Sequence, residues 1–101
     1  MSVENSNRPF IRHVVFFSAK RKEDIDRIVD GLSMLRDIPD VSTFEVSRNR
    51  HQDGFSNEVD VVVYAEFRDD AAMQAYRSHP IYKECINIVR PLRDVRMAAD
   101  F

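Results

Sequence analysis

Residues Ile11 to Phe17 form a β-rich run, Ile-Arg-His-Val-Val-Phe-Phe, that ends near the charged turn Lys20-Arg21-Lys22. The hydrophobic period then changes. Ile25, Ile28, Val29, Leu32, Leu35 and Ile38 recur every three or four residues, which predicts one face of a helix of about four turns. Gly31 falls inside that helix, where glycine costs roughly 1 kcal/mol relative to alanine, so close packing against a neighbouring element is expected there. Pro39 ends the helix, because the residue before a proline is pushed out of the α region. Val41 to Asn49 alternates, with Phe44 and Val46 on one side and Thr43, Glu45 and Ser47 on the other, as in a half-buried strand. A polar loop from Arg48 to Glu58 carries the turn signal Asp53-Gly54. Val59 to Phe67 is apolar on both faces and reads as a central strand. Asp69 is placed to cap a helix carrying Ala72, Ala75 and Tyr76. His79-Pro80 breaks that helix, and Pro80 suits the first turn of the next, whose buried stripe is Ile81, Cys85, Ile88 and Leu92. Val95 to Ala99 is the fourth strand.

The order β-α-β-β-α-β is the ferredoxin-like split βαβ arrangement, an α+β fold with a four-stranded antiparallel sheet. Its first and third strands are central and its helices cover one face. Val14, Phe16, Val62 and Tyr64 share one parity; His13, Val15, Phe17, Val61, Val63 and Ala65 share the other. Both sets are largely apolar. One packs on the helices, and the other would be an exposed patch of a kind that soluble monomers avoid. Parity alone therefore predicts a homodimer closed sheet to sheet.

The chain has 101 residues, 44% of them hydrophobic, which suits one domain over residues 10–101 behind a flexible tail, 1–9. Fifteen basic and seventeen acidic residues leave a net charge of −2. No basic stripe offers a nucleic-acid footprint, and no apolar run approaches a membrane span. The first nine residues lack the apolar segment of a signal peptide, and Cys85 has no second cysteine to pair with. A soluble, cytoplasmic protein is expected, without nucleic acid or membrane as partner. The three histidines lie on a strand, a loop and a turn, without metal-ligand spacing. No Gly-rich phosphate loop, Ser-centred elbow or CxxC pair is present. Neither metal nor cofactor is expected.

The Arg12-His13-Val14-Val15 opening strand, the middle Ile38-Pro39-Asp40-Val41 with Phe44-Glu45-Val46, and the turn Tyr76…His79-Pro80 together resemble the stress-responsive A/B-barrel (Dabb) family. The resemblance spans residues 10–101. It implies dimers closed sheet to sheet into a β-barrel, with a small-molecule pocket between helices and sheet. Most members have no assigned reaction, and one plant member is a polyketide cyclase. That cyclase has a tyrosine before the His-Pro turn, which maps onto Tyr76, and a strand histidine, which maps onto His13. Its general-base histidine, three residues past the turn histidine, falls on Tyr82 here. A phenol with a pKa of about 10 is a poor base beside an imidazole of about 6.5, so cyclisation of the plant type is not expected.

His13, Tyr76 and Tyr82 are thus the catalytic candidates. Val15, Val63, Ala65, His79 and Arg96 are the candidates for ligand contact. Each has a plainer alternative. His13 could be a hydrogen-bonded core histidine, and the tyrosines amphipathic packing residues at the pocket rim. His79 could close its turn on the backbone, and Arg96 could pair with a carboxylate at the dimer seam. Two functions follow: a dimeric protein that binds a small organic molecule, or an enzyme performing acid/base chemistry on an aromatic or polyketide-like carbonyl compound.

Overall fold

Strand β1 (Ile11–Ala19) leads into a short 3-10 turn and helix α1 (Ile25–Ser33) in the computed structural model, which describes residues 10–56 and 58–101. Strands β2 (Thr43–Arg48) and β3 (Val61–Phe67) follow, then helices α2 (Asp70–Ser78) and α3 (Pro80–Val89), then β4 (Arg93–Asp100). The four strands form one sheet in the order β2-β3-β1-β4, with antiparallel neighbours throughout. This is the ferredoxin-like α+β fold read from the hydrophobic pattern. The expected tail, residues 1–9, lies outside the described residues. Among the described residues, no helix is long and apolar enough to cross a membrane.

Local chemistry explains most of the boundaries. Asp69 caps α2 by accepting from the Ala72 amide at 2.9 Å. His79 ends α2 and caps α3: its Nδ1 accepts from the Ile81 amide at 3.1 Å, with Pro80 in the first turn. The first helix is shorter than its period implies. It tightens after Ser33 into a 3-10 turn, Met34–Asp37, and Ile38 is extended ahead of Pro39. The last helix also departs from the expected stripe. Cys85 and Val89 are buried, whereas Ile88 is 42% exposed, because the four-residue step from Cys85 falls on Val89.

The inner face of the sheet carries His13, Val15, Phe17, Val61, Val63, Ala65 and Phe67, all buried against the helices. Helix α1 approaches α3 at Gly31, where an added Cβ would lie 2.9 Å from Val89 Cγ2. The opposite face presents Val14, Phe16, Val62 and Tyr64, with Met97 and Ala99 of β4 directly across from Phe16 and Val14. Phe16 is 36% and Met97 58% exposed. At one end of the sheet the buried carboxylate of Asp60 accepts from the Ala19 amide at 2.8 Å and from Lys22 Nζ at 2.8 and 2.9 Å. That bond set fixes the turn after β1 to the start of β3.

Candidate functional site

The register of β1 against β4 sets His13 opposite Asp100. The imidazole is 3% exposed, and its Nδ1 donates to Asp100 Oδ1 at 2.5 Å. A carboxylate can only accept, so the hydrogen of this bond sits on Nδ1. Nε2 has no hydrogen-bond partner among the described residues. Asp100 Oδ2 lies 3.5 Å from the guanidinium of Arg77 at the end of α2, so the carboxylate sits between two cationic or potentially cationic groups.

Aromatic rings enclose the imidazole. Phe67 and Tyr76 lie 6.1 and 6.5 Å from it between centroids, and Tyr76 meets Tyr82 edge-on at 5.1 Å. Tyr76 is 2% exposed. Burial, and then the neighbouring Tyr82, hold its phenol well above the ordinary tyrosine range, so it stays a hydrogen-bond donor at physiological pH and never a base. Burial likewise pushes the Cys85 thiol up to about 11, which makes it an inert packing group.

These side chains lie around a cavity of about 390 Å³ between α3 and the β1–β4 side of the sheet. Its apolar lining comes from Val15, Phe17 and Val63 on the sheet and from Leu32, Leu35 and Val89 on the helical layer. Arg77, Arg90, Arg93 and Arg96 also line it. Strand β4 is exposed over nearly its whole length, and its Arg93, Arg96 and Ala98 line the cavity.

Of the residues singled out in the sequence, His13, Tyr76, Tyr82, Val15, Val63 and Arg96 lie on this one cavity. Ala65 and His79 do not. Ala65 is fully buried between its cross-strand neighbours His13 and Phe44, and the His79 ring is occupied by its cap on Ile81. Arg96 faces the cavity, since it lies opposite Phe17 on the inner face; it is not turned to the outer face. Sequence reasoning missed Asp100 and the arginines at 77, 90 and 93. Asp100 shares parity with Arg96 and Ala98, and the ferredoxin-like order makes β1 and β4 neighbours. Those two facts together were the available signal. Among the described residues no group of three or more His, Cys, Asp or Glu side chains is placed to hold a metal ion.

A ferredoxin-like α+β domain with a helix–sheet cavity is therefore the class of protein that fold and site define. Residues 11–101 match the stress responsive A/B barrel domain, and the chain belongs to that family. Among solved structures it is similar to a Dabb family protein with a ferredoxin-like fold from Mesorhizobium loti, at 25% identity and a TM-score of 0.77, over 93% of this chain and 96% of that one. It is similar to a dimeric ferredoxin-like protein of unknown function from Thermobifida fusca, at 22% identity and a TM-score of 0.78, over 91% and 89% of the two chains. It also shares the fold of SnoaB, a cofactor-independent oxygenase from Streptomyces nogalater, at 14% identity and a TM-score of 0.69, over 93% and 92%. No curated protein is significantly similar in sequence.

Proposed function

We propose that the protein is a cytoplasmic homodimer whose protomers each bind a small carbonyl-bearing organic molecule in the cavity, with His13 moving a proton on it. The dimer reading is supported by the apolar outer face and by the dimeric state of the neighbour from Thermobifida fusca. Two such faces pressed together form the barrel and bury Phe16 and Met97. A 101-residue domain gains proportionately from this, because a small domain buries only about two thirds of its unfolded surface alone.

The single observation that carries the chemical reading is the His13–Asp100 pair. A histidine retained only for core packing would have both ring nitrogens engaged. Here one nitrogen is held by a carboxylate and the other has no hydrogen-bond partner among the described residues, on a ring that lines the cavity. That arrangement suits a general base. Nε2 takes a proton from carbon next to a carbonyl, Asp100 stabilises the imidazolium that forms, and the Tyr76 hydroxyl donates to the oxygen on which charge develops. The return of the proton from Nε2 completes an isomerisation, condensation or cleavage. A binding-only role shares the same cavity and differs in leaving the proton where it is.

The test does not require the substrate to be identified. A panel of small aryl and alkyl 1,3-dicarbonyl compounds is incubated with the protein in deuterated water, and exchange of the protons between the carbonyls is followed by NMR. The wild type should accelerate exchange for compounds that bind, and His13→Gln should lower the rate by about a hundredfold, the low end for a lost general base. Binding without accelerated exchange would leave the binding-only role. Acceleration that survives His13→Gln would remove His13 from the chemistry.

A further inference from the structure

We propose that the cavity takes an elongated organic anion, its headgroup held by Arg93 and Arg96 with Arg90 beside them and its apolar chain lying along the sheet wall, so that its far end meets His13. The proposal rests on the cavity-binding reading above and adds the class of ligand.

Strict alternation along β4 gives Arg96, Ala98 and Asp100 one parity and puts Asp94, not Arg93, in step with them. The β1–β4 register breaks between Phe17 and Ala19, so that Arg93 lies opposite Ala19 while Arg96 stays opposite Phe17. Ser18 holds this irregularity in place, its Oγ accepting from the Val95 amide at 2.9 Å. A bulge of this kind re-aims a side chain. Here it brings a second arginine onto the inner face, and both line the cavity while Asp94 does not.

Arg90, Arg93 and Arg96 have no ion-pair or hydrogen-bond partner for their side chains among the described residues. By contrast Arg21, Arg27, Arg48, Arg68 and Arg77 each have a carboxylate within ion-pair reach, in a chain whose net charge is −2. Arg90 has a local reason for its position, since it follows the last turn of α3, where a cation meets the negative end of the helix dipole. Arg93 and Arg96 have none. Burial holds the Arg93 guanidinium below its ordinary range, and the charges of Arg96 and Arg90 lower it further. The three therefore repel one another beside the cavity, with no carboxylate paired to them among the described residues. The planar guanidinium fork matches a carboxylate or a phosphate in two parallel bonds.

The length of the ligand follows from the register. Arg96 and Asp100 are four residues apart on one strand, opposite Phe17 and His13 respectively, a separation of about 13 Å at the rise of a strand. The wall between them is Val15, Phe17, Val63 and Ala98. An anion long enough to reach from Arg96 to the imidazole therefore lays an apolar chain on an apolar wall.

Titration calorimetry of the full-length protein with octanoate, octyl phosphate, 1-octanol and butyrate tests this at low and physiological salt. Octanoate or octyl phosphate should bind at least about tenfold more tightly than octanol, the low end for a hydrogen bond to a charged group. The better of the two identifies the headgroup. Butyrate should bind more weakly than octanoate. The R93Q/R96Q double variant should abolish the advantage of the anions and leave octanol affinity unchanged, while R93K/R96K, which keeps the charges but loses the bidentate fork, should retain only part of it and controls for folding. Equal binding of octanol and the anions, or a preference that survives R93Q/R96Q, overturns the anion proposal and leaves the cavity reading intact. Failure of all four probes to bind overturns the elongated-anion proposal, whereas the cavity reading stands or falls on the deuterium-exchange experiment above.

Discussion

Replacing Gly31 with alanine sets two effects of known size against each other. In an exposed helix interior the change stabilises by about 1 kcal/mol, because alanine has the better helix propensity. Here the new Cβ would stand 2.9 Å from Val89 Cγ2 and 3.1 Å from Ile88 Cγ2, well inside the separation of about 3.5–4.0 Å at which carbon atoms sit comfortably. Ile88 is 42% exposed and can turn aside. Val89 is 3% exposed, and its branched side chain has essentially one rotamer in a helix. Relief must therefore come from shifting α3 against α1, and overpacking of this kind costs typically about 1–3 kcal/mol. The cost outweighs the propensity gain, so Gly31→Ala should destabilise by about 1 kcal/mol, a fall in Tm of roughly 4–8 °C for a domain of this size. Chemical denaturation at one fixed protein concentration is the assay, since association shifts apparent stability. The decisive comparison is the same substitution in a Val89→Ala background, where the offending methyl is gone. There Gly31→Ala should become stabilising, and the sign reversal measures the contact directly. A Gly31→Ala protein that is more stable than the wild type would refute the close-packing argument.

Three further outcomes follow from the structure. Val62→Glu places a charge in the centre of the apolar outer face and should abolish the proposed dimer or unfold the chain; sedimentation showing an intact, folded dimer would remove this face from the proposed interface. Asp60→Ala leaves the Ala19 amide without its acceptor and Lys22 without its carboxylate, and should cost about 2–4 kcal/mol in urea unfolding, the range for a buried polar group left unpaired together with a broken charge pair; an unchanged midpoint would show that the turn does not depend on it. The Cys85 thiol keeps its proton up to about 11 in the folded protein, whereas an unfolded cysteine loses it at about pH 8.5. The folded state thus binds the proton more tightly, and the stability that this contributes is complete below the unfolded value and disappears as pH rises toward the folded one. Wild-type stability should therefore fall more steeply than that of Cys85→Ala across this alkaline window, and parallel curves would refute the burial assigned to the thiol.

Hydrophobic periodicity by itself determined the element order and the apolar character of both faces of the sheet, and the ferredoxin-like arrangement that this order matches placed β1 and β3 at its centre. It could do so because each strand alternates with a period of two and each helix recurs near 3.6, so burial is written locally along the chain. The caps at Asp69 and His79 were legible for the same reason, since donor and acceptor lie within three residues of each other. The stripe of α3 was misjudged at Ile88 because spacings of three and four are both helical, and only packing against α1 selects Val89. The cavity was legible in part. His13, Tyr76, Tyr82 and Arg96 were singled out, whereas Asp100, which orients His13 from 87 residues away, was not. A partner at that separation is fixed by strand register, and register depends on how β1 and β4 meet at Ser18. The same irregularity turned Arg93 inward against its own parity. Local pattern specifies the faces of each element; the juxtaposition of side chains from opposite ends of the chain is settled only when the strands pair.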